Sequence, residues 1–171
     1  DGGSSDQTIN IIKNEKQSVA KIVSYEDDGI YDAWNKALEF VDKGWILFLG
    51  SDDFLLPSIT QFIIEVNKRY KSQTINMVSG ITIYQNPIKN RSYLYGKKLN
   101  KFFLMHSMQI ANCATLYKKK LFLNKTFNKK FRVNGDYDFL LRNRKKLKHI
   151  YLKYPISFMS SGGVSSNLTF K

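Results

Sequence analysis

The sequence predicts an α/β fold, a largely parallel sheet flanked by helices. Three observations lead there. Helix-like and strand-like patterns alternate along the chain, the arrangement that places helices on the faces of a sheet. Residues 45–49 (WILFL) form a continuous apolar run that stops at Gly50, as a strand buried on both faces does. Residues 30–41 carry Ile30, Ala33, Trp34, Ala37, Leu38 and Val41 on one helical stripe. The 171 residues fit a single domain over 1–171.

The elements follow in order. Ser4, Ser5 and Asp6 ahead of TINIIK read as a capped helix start. Residues 19–24 (VAKIVS) are short and β-branched, a strand. The amphipathic helix comes next, ended by Gly44, and then the buried strand. Pro57 at a first helical position opens a helix to about Tyr70. Strands are expected over 75–84, 92–95 and 150–158, the last interrupted by Pro155, and a helix over 136–146.

Composition narrows the function. Hydrophobic residues are 43% and charged residues 24%, ordinary globular shares that exclude a disordered or fibrous chain. The single cysteine, Cys113, excludes an intrachain disulfide and suits a reducing compartment, so a cytoplasmic protein is expected. No apolar run reaches the roughly 18 residues of a membrane span, and no signal peptide is visible. Charge is divided unevenly. Residues 1–85 carry a net of −4 and residues 86–171 a net of +17. The basic half suits an anionic membrane, a phosphate-bearing substrate or nucleic acid, unless its lysines are simply a solvated face. Its only acids are Asp136 and Asp138.

Two features carry chemistry. Asp52 and Asp53 follow the apolar strand directly, where ligands of open α/β sheets bind. Adjacent carboxylates there hold a divalent cation shared with a substrate phosphate, or one of them caps the next helix. Asp136 opens a helix as a placed carboxylate or as its N-cap, and surrounding positive charge is expected to keep it ionised. Asp138 and Arg142 are spaced for an i, i+4 pair. Asp32 and Asn35 face either a donor pocket or solvent. His106, His149 and Cys113 form no zinc pattern, and Cys113 reads as a small buried residue.

Four segments occur in the order found in family-2 glycosyltransferases of the GT-A fold, and the chain resembles that family, in its bacterial surface-polysaccharide branch. They are DGGSSD at residues 1–6, DGIYDAWNK at 28–36, WILFLGSDD at 45–53 and DYDFLLR at 136–142; GGVSS at 162–166 also fits. The resemblance implies an inverting transfer of a sugar from a nucleotide-sugar, typically a UDP-sugar, to a glycan or lipid-linked acceptor, with Mn²⁺ or Mg²⁺. It implies that residues 1–85 serve the donor and metal and 86–171 the acceptor and base. Asp1 matches the aspartate that pairs with the nucleotide base, and Asp28 and Gly29 form the turn admitting the donor. Asp52 and Asp53 match the metal and diphosphate site, either one the direct ligand. Asp136 matches the base that deprotonates the acceptor. Departures are Gly50 for the first aspartate of Asp-x-Asp, Gly135 for a common Glu, and Asn112-Cys113 for a common His-Gln. The chain enters at the turn after the family's second strand, so a truncated first strand–helix–strand unit is expected. Peripheral contact with the inner membrane face through the basic half follows from a lipid-linked acceptor. A noncatalytic relative and a nucleic-acid-binding module are the competing readings; no known nucleic-acid motif is visible, and nucleic acid is not expected as a partner.

Overall fold

The computed structural model describes residues 1–15, 17–70, 74–86 and 91–160. Four α-helices and six strands appear among them. In chain order they are α1 (Thr8–Asn14), α2 (Ile30–Leu38), β1 (Trp45–Leu47), β2 (Asp53–Leu55), α3 (Ile59–Arg69), β3 (Met77–Asn86), β4 (Arg91–Tyr95), β5 (Thr115–Lys118), α4 (Gly135–Asn143) and β6 (His149–Ser160). Short 3₁₀ turns cover Phe103–Met105, Asn112–Ala114 and Lys119–Phe122.

The strands form one sheet in the order β1-β5-β3-β6-β2, with β4 also paired to β3. Strand alternation splits the core into two layers. Met77 on β3 faces a cluster with Tyr31 and Leu38 of α2 and Phe139 and Leu140 of α4. Its neighbour Val78 faces Phe62 and Val66 of α3 on the opposite side. Ring contacts fill the α2/α4 side, including stacked Phe122 and Phe139 with centroids 4.6 Å apart. Such pairs add about 0.5–1.5 kcal/mol each beyond their burial.

The α/β layering is as expected; strand direction is not. Only β3–β6 is parallel, whereas β1–β5, β2–β6, β3–β4 and β3–β5 are antiparallel. Two short strands account for much of the difference. β2 and β5 have three and four residues, too few to show a periodicity, and both run against their neighbours.

The apolar run at 45–49 yields only three strand residues. They are half-buried, and β1 bonds β5 alone among the described residues. Both its faces are nonetheless apolar. Ile46 and Phe48 pack toward α2 and α4, Trp45 and Leu47 toward α3. Residues 19–24 are not a strand. Their ladder contact with the chain start is brief: Asp1 N donates to Val23 O (2.9 Å) and Tyr25 N to Asp1 O (3.3 Å), flanking Ser24 in the parallel manner. Pro57 lies two residues ahead of α3, whose N-cap is Ser58. β6 accommodates Pro155, which cannot donate a ladder bond, at a register shift opposite Ile81. The GGVSS segment at 162–166 lies outside the described residues.

Candidate functional site

The acidic turn joins the two edge strands. β1 ends at Leu47, β2 begins at Asp53, and the chain reverses at Gly50. Asp53 N donates to Gly50 O (3.2 Å) and Gly50 N to Asp53 Oδ2 (3.0 Å). A Cβ at Gly50 would stand 3.0 Å from both Asp52 Oδ1 and Asp53 Oδ2. Two carboxylates therefore flank the glycine on one side. Burial pushes the Asp53 carboxyl up, the Gly50 amide opposes this, and the like charge of Asp52 adds to it. Neither aspartate caps α3, which starts at Ile59.

These donors suit a divalent cation. Hard cations take carboxylate oxygens, and Mg²⁺ commonly takes only one or two, leaving positions for phosphate and water. No third His, Cys, Asp or Glu joins them in a metal-sized group among the described residues. The pair fits a metal completed by a diphosphate, not an all-protein cage.

Asp136 lies at the second position of α4, not its N-cap; Asn134 holds the cap in a left-handed conformation (φ 64°). Asp136 Oδ1 accepts from Tyr137 N (2.9 Å) and from Tyr31 Oη of α2 (3.2 Å). Burial pushes this carboxyl up, opposed by those two hydrogen bonds. No cation is among the causes, so the expected lowering by surrounding positive charge is absent. Arg142 pairs with Asp138 (2.6 Å), as the spacing anticipates, and Lys125 donates to Arg142 O (3.0 Å).

Three tyrosines feel Asp136. Tyr31 is pushed up to about 12, and Tyr95 and Tyr117 are also raised, each by burial first and the Asp136 charge second. Tyr117 Oη donates to Asn112 Oδ1 (2.9 Å), while buried Asn112 Nδ2 has no partner. Next to Asn112, burial pushes the Cys113 thiol up and the Asp53 charge adds to this. The 3₁₀ turn at Asn112–Ala114 packs against β1, β3 and β6.

Asp1 is at the far side of α2. Its Oδ2 accepts from Gly3 N, Ser4 N (both 3.0 Å) and Ser24 Oγ (2.6 Å), whereas Oδ1 accepts from Ser4 Oγ alone (2.6 Å). Asp1 borders a cleft of about 280 Å³ walled by Val23, Tyr25, Ala33, Ala37 and Phe40. Gly29, at φ 106°, occupies a conformation that side chains resist, and opens α2 by accepting from Asp32 N and Ala33 N. Asp28 is exposed, within 3.5 Å of Lys129 Nζ.

Asp32 faces neither a donor pocket nor solvent. It is 5% exposed, accepts from Asp28 N (3.1 Å), and pairs with Lys36 (2.8 Å) and Lys129 (3.0 Å), which hold its carboxyl well below the usual range. Asn35 is equally structural, exchanging hydrogen bonds with the Phe127 backbone at 2.9 and 3.0 Å. The residue missed in the sequence is Tyr31. No sequence signal marks it: the match to Gly135, where a Cβ would lie 2.6 Å from the Tyr31 ring, exists only in the folded chain.

The site thus comprises a reversing acidic turn at the sheet edge and a half-buried carboxylate on α4. The glycosyl transferase family 2 profile matches residues 1–124, and the chain belongs to that family, which carries the GT-A fold. A PGL/p-HBAD biosynthesis glycosyltransferase of Mycobacterium bovis (strain BCG / Pasteur 1173P2) is 27% identical over 183 residues, spanning 100% of this chain and 68% of the relative. One from Mycobacterium tuberculosis (strain ATCC 25177 / H37Ra) gives the same figures. The protein is a glycosyltransferase. No helix among the described residues is long and apolar enough to cross a membrane.

Proposed function

We propose that this protein transfers a sugar from a nucleoside-diphosphate sugar to a glycan or lipid-linked hydroxyl, with inversion, in bacterial surface-glycan synthesis. The observation that carries the reading is the convergence of Asp52 and Asp53 over Gly50. These two carboxylates hold Mn²⁺ or Mg²⁺, either one as the direct ligand; the metal supplies Lewis-acid stabilisation of the leaving diphosphate. Asp1 receives the nucleotide base through Oδ1, the oxygen with spare accepting capacity, which suits the N–H of uracil in a UDP-sugar. The turn at Asp28 and Gly29 borders the donor's entry.

Asp136 is the base. The acceptor oxygen attacks the anomeric carbon, its proton passes to Asp136, and the bond to the diphosphate oxygen breaks with its electrons leaving on the nucleotide. One displacement inverts the centre. Burial supports the role, because a raised carboxyl accepts a proton more readily than an exposed one.

Calorimetry with UDP tests the donor half. With Mn²⁺ present, binding is expected, and EDTA should abolish it. Equal affinity with and without the chelator would remove the metal from the proposal.

A further inference from the structure

We propose that the turn carrying Phe102 and Phe103 is a membrane-docking wedge whose partner is an anionic bilayer surface. Phe102 and Phe103 are 64% and 58% exposed, and Met105 beside them 44%. Large rings standing this far into water in adjacent positions form an apolar patch that a soluble surface rarely carries without use. Lys97, Lys98 and Lys101 are all exposed around it. Arg144 contacts the Met105 sulfur, which brings a further cation and the end of α4 to the patch. Apolar rings ringed by cations match an interface of acyl chains and anionic headgroups.

The wedge is built in advance. Asn100 Oδ1 accepts from Phe102 N (2.9 Å) and Phe103 N (3.3 Å). Buried Gln109 exchanges hydrogen bonds with the Asn100 backbone, 2.9 Å each way. Leu104, 0% exposed, plugs into the core, and Tyr137 Oη donates to its carbonyl (2.6 Å). With Leu104 fixed inward, the two phenylalanines are held outward, so little ordering remains for the membrane to impose.

Three other cations are engaged within the fold. Lys129 pairs with Asp32 and Asp28, Lys118 lies over the Trp45 ring, and Lys119 binds the Leu38 carbonyl. Tyr137, which anchors the wedge, follows Asp136 in α4. Docking would bring a lipid-linked acceptor close to that carboxylate, a link that rests on Asp136 being the base.

Vesicle sedimentation of the purified protein tests the surface. The parent should bind phosphatidylcholine vesicles containing one-quarter phosphatidylglycerol at least tenfold more tightly than phosphatidylcholine alone. The double variant Phe102→Ser, Phe103→Ser should lose at least tenfold on the anionic vesicles, with thermal midpoint and UDP–Mn²⁺ binding unchanged. Lys98→Gln and Lys101→Gln should each lose about fivefold. As a readout independent of truncation, Phe103→Trp should shift its emission to the blue on anionic vesicles. Parent-like binding by the phenylalanine variant, or a parent indifferent to lipid charge, overturns the proposal. So does tighter binding to single-stranded DNA that is lost in the same variants. UDP binding reports on the donor site separately, so failure of one reading is distinguishable from failure of the other.

Discussion

Tyr31 and Asp136, 105 positions apart, meet through a 3.2 Å hydrogen bond that joins α2 to α4. The phenol lowers the Asp136 carboxyl against the upward push of burial. Tyr31→Phe removes that brake, so the carboxyl should rise further and the acid limb of the pH–rate profile should move upward. Transfer should fall most at the acid end of the profile and recover as pH rises. A profile parallel to the parent's would detach Tyr31 from the base.

Asp136→Asn should cost transfer about 10²–10⁴-fold while leaving donor affinity unchanged. It should also stabilise the fold at neutral pH. Burial raises the folded carboxyl above its unfolded value, so the ionised form is penalised in the folded state once pH exceeds the folded value. The stability gain should fade as pH falls through the folded value toward 3.8. Asp138→Asn, which only loosens the pair with Arg142, should cost about 0.2–0.5 kcal/mol and little activity. Chemical denaturation beside a transfer assay separates the two aspartates. A dead Asp138→Asn with an active Asp136→Asn would reverse their roles.

Gly135→Ala places a methyl carbon where the Tyr31 ring already lies, 2.6 Å away. The expected loss is about 1–3 kcal/mol, typical of overpacking, together with part of the transfer rate as the Tyr31 hydroxyl leaves Asp136. Gly135→Ala in a Tyr31→Ala background should recover most of the stability difference, and the double-mutant cycle measures it.

His149 gives the fold an acid limit. Burial, with Lys98 adding, pushes the imidazole down to about 4 from 6.5. Its Nε2 lies 2.8 Å from Ser79 Oγ, and Nδ1 accepts from Leu99 N (3.3 Å). The unfolded chain takes up a proton more readily than the folded one between those values. Stability is therefore full above about pH 6.5 and falls as pH drops toward about 4. His149→Gln should flatten that slope, as read in denaturation midpoints across the range.

Much of the layering was legible in the sequence because it rests on hydrophobic pattern. The stripe from Ile30 to Leu38 gave α2, and the continuous apolar run at residues 45–49 gave a strand apolar on both faces. Strand direction was not legible. β2 and β5 are too short to carry a pattern, and their places depend on bonds to β6 and β3 far away in sequence. At the candidate site, the acidic turn could be seen because its carboxylates are adjacent. Tyr31 could not be assigned, since its partnership with Asp136 and Gly135 exists only after α2 and α4 pack. The environment of Asp136 was not legible for a related reason: counting cations along the chain does not show that burial, the first cause of its raised carboxyl, outweighs charge there.

The acidic turn is held between β1 and β2, whose only strand partners among the described residues are β5 and β6. During synthesis the ribosome therefore releases Asp52 and Asp53 long before anything exists to shape them. Until residues 149–160 emerge, β2 has no neighbour and the carboxylates have no fixed spacing. A nascent chain stalled short of that point carries the motif without its geometry, and its unpaired strand edges are open to chaperones or to other chains. Metal affinity should consequently arrive late and abruptly with chain length, a property of the finished sheet and not of the DD dipeptide.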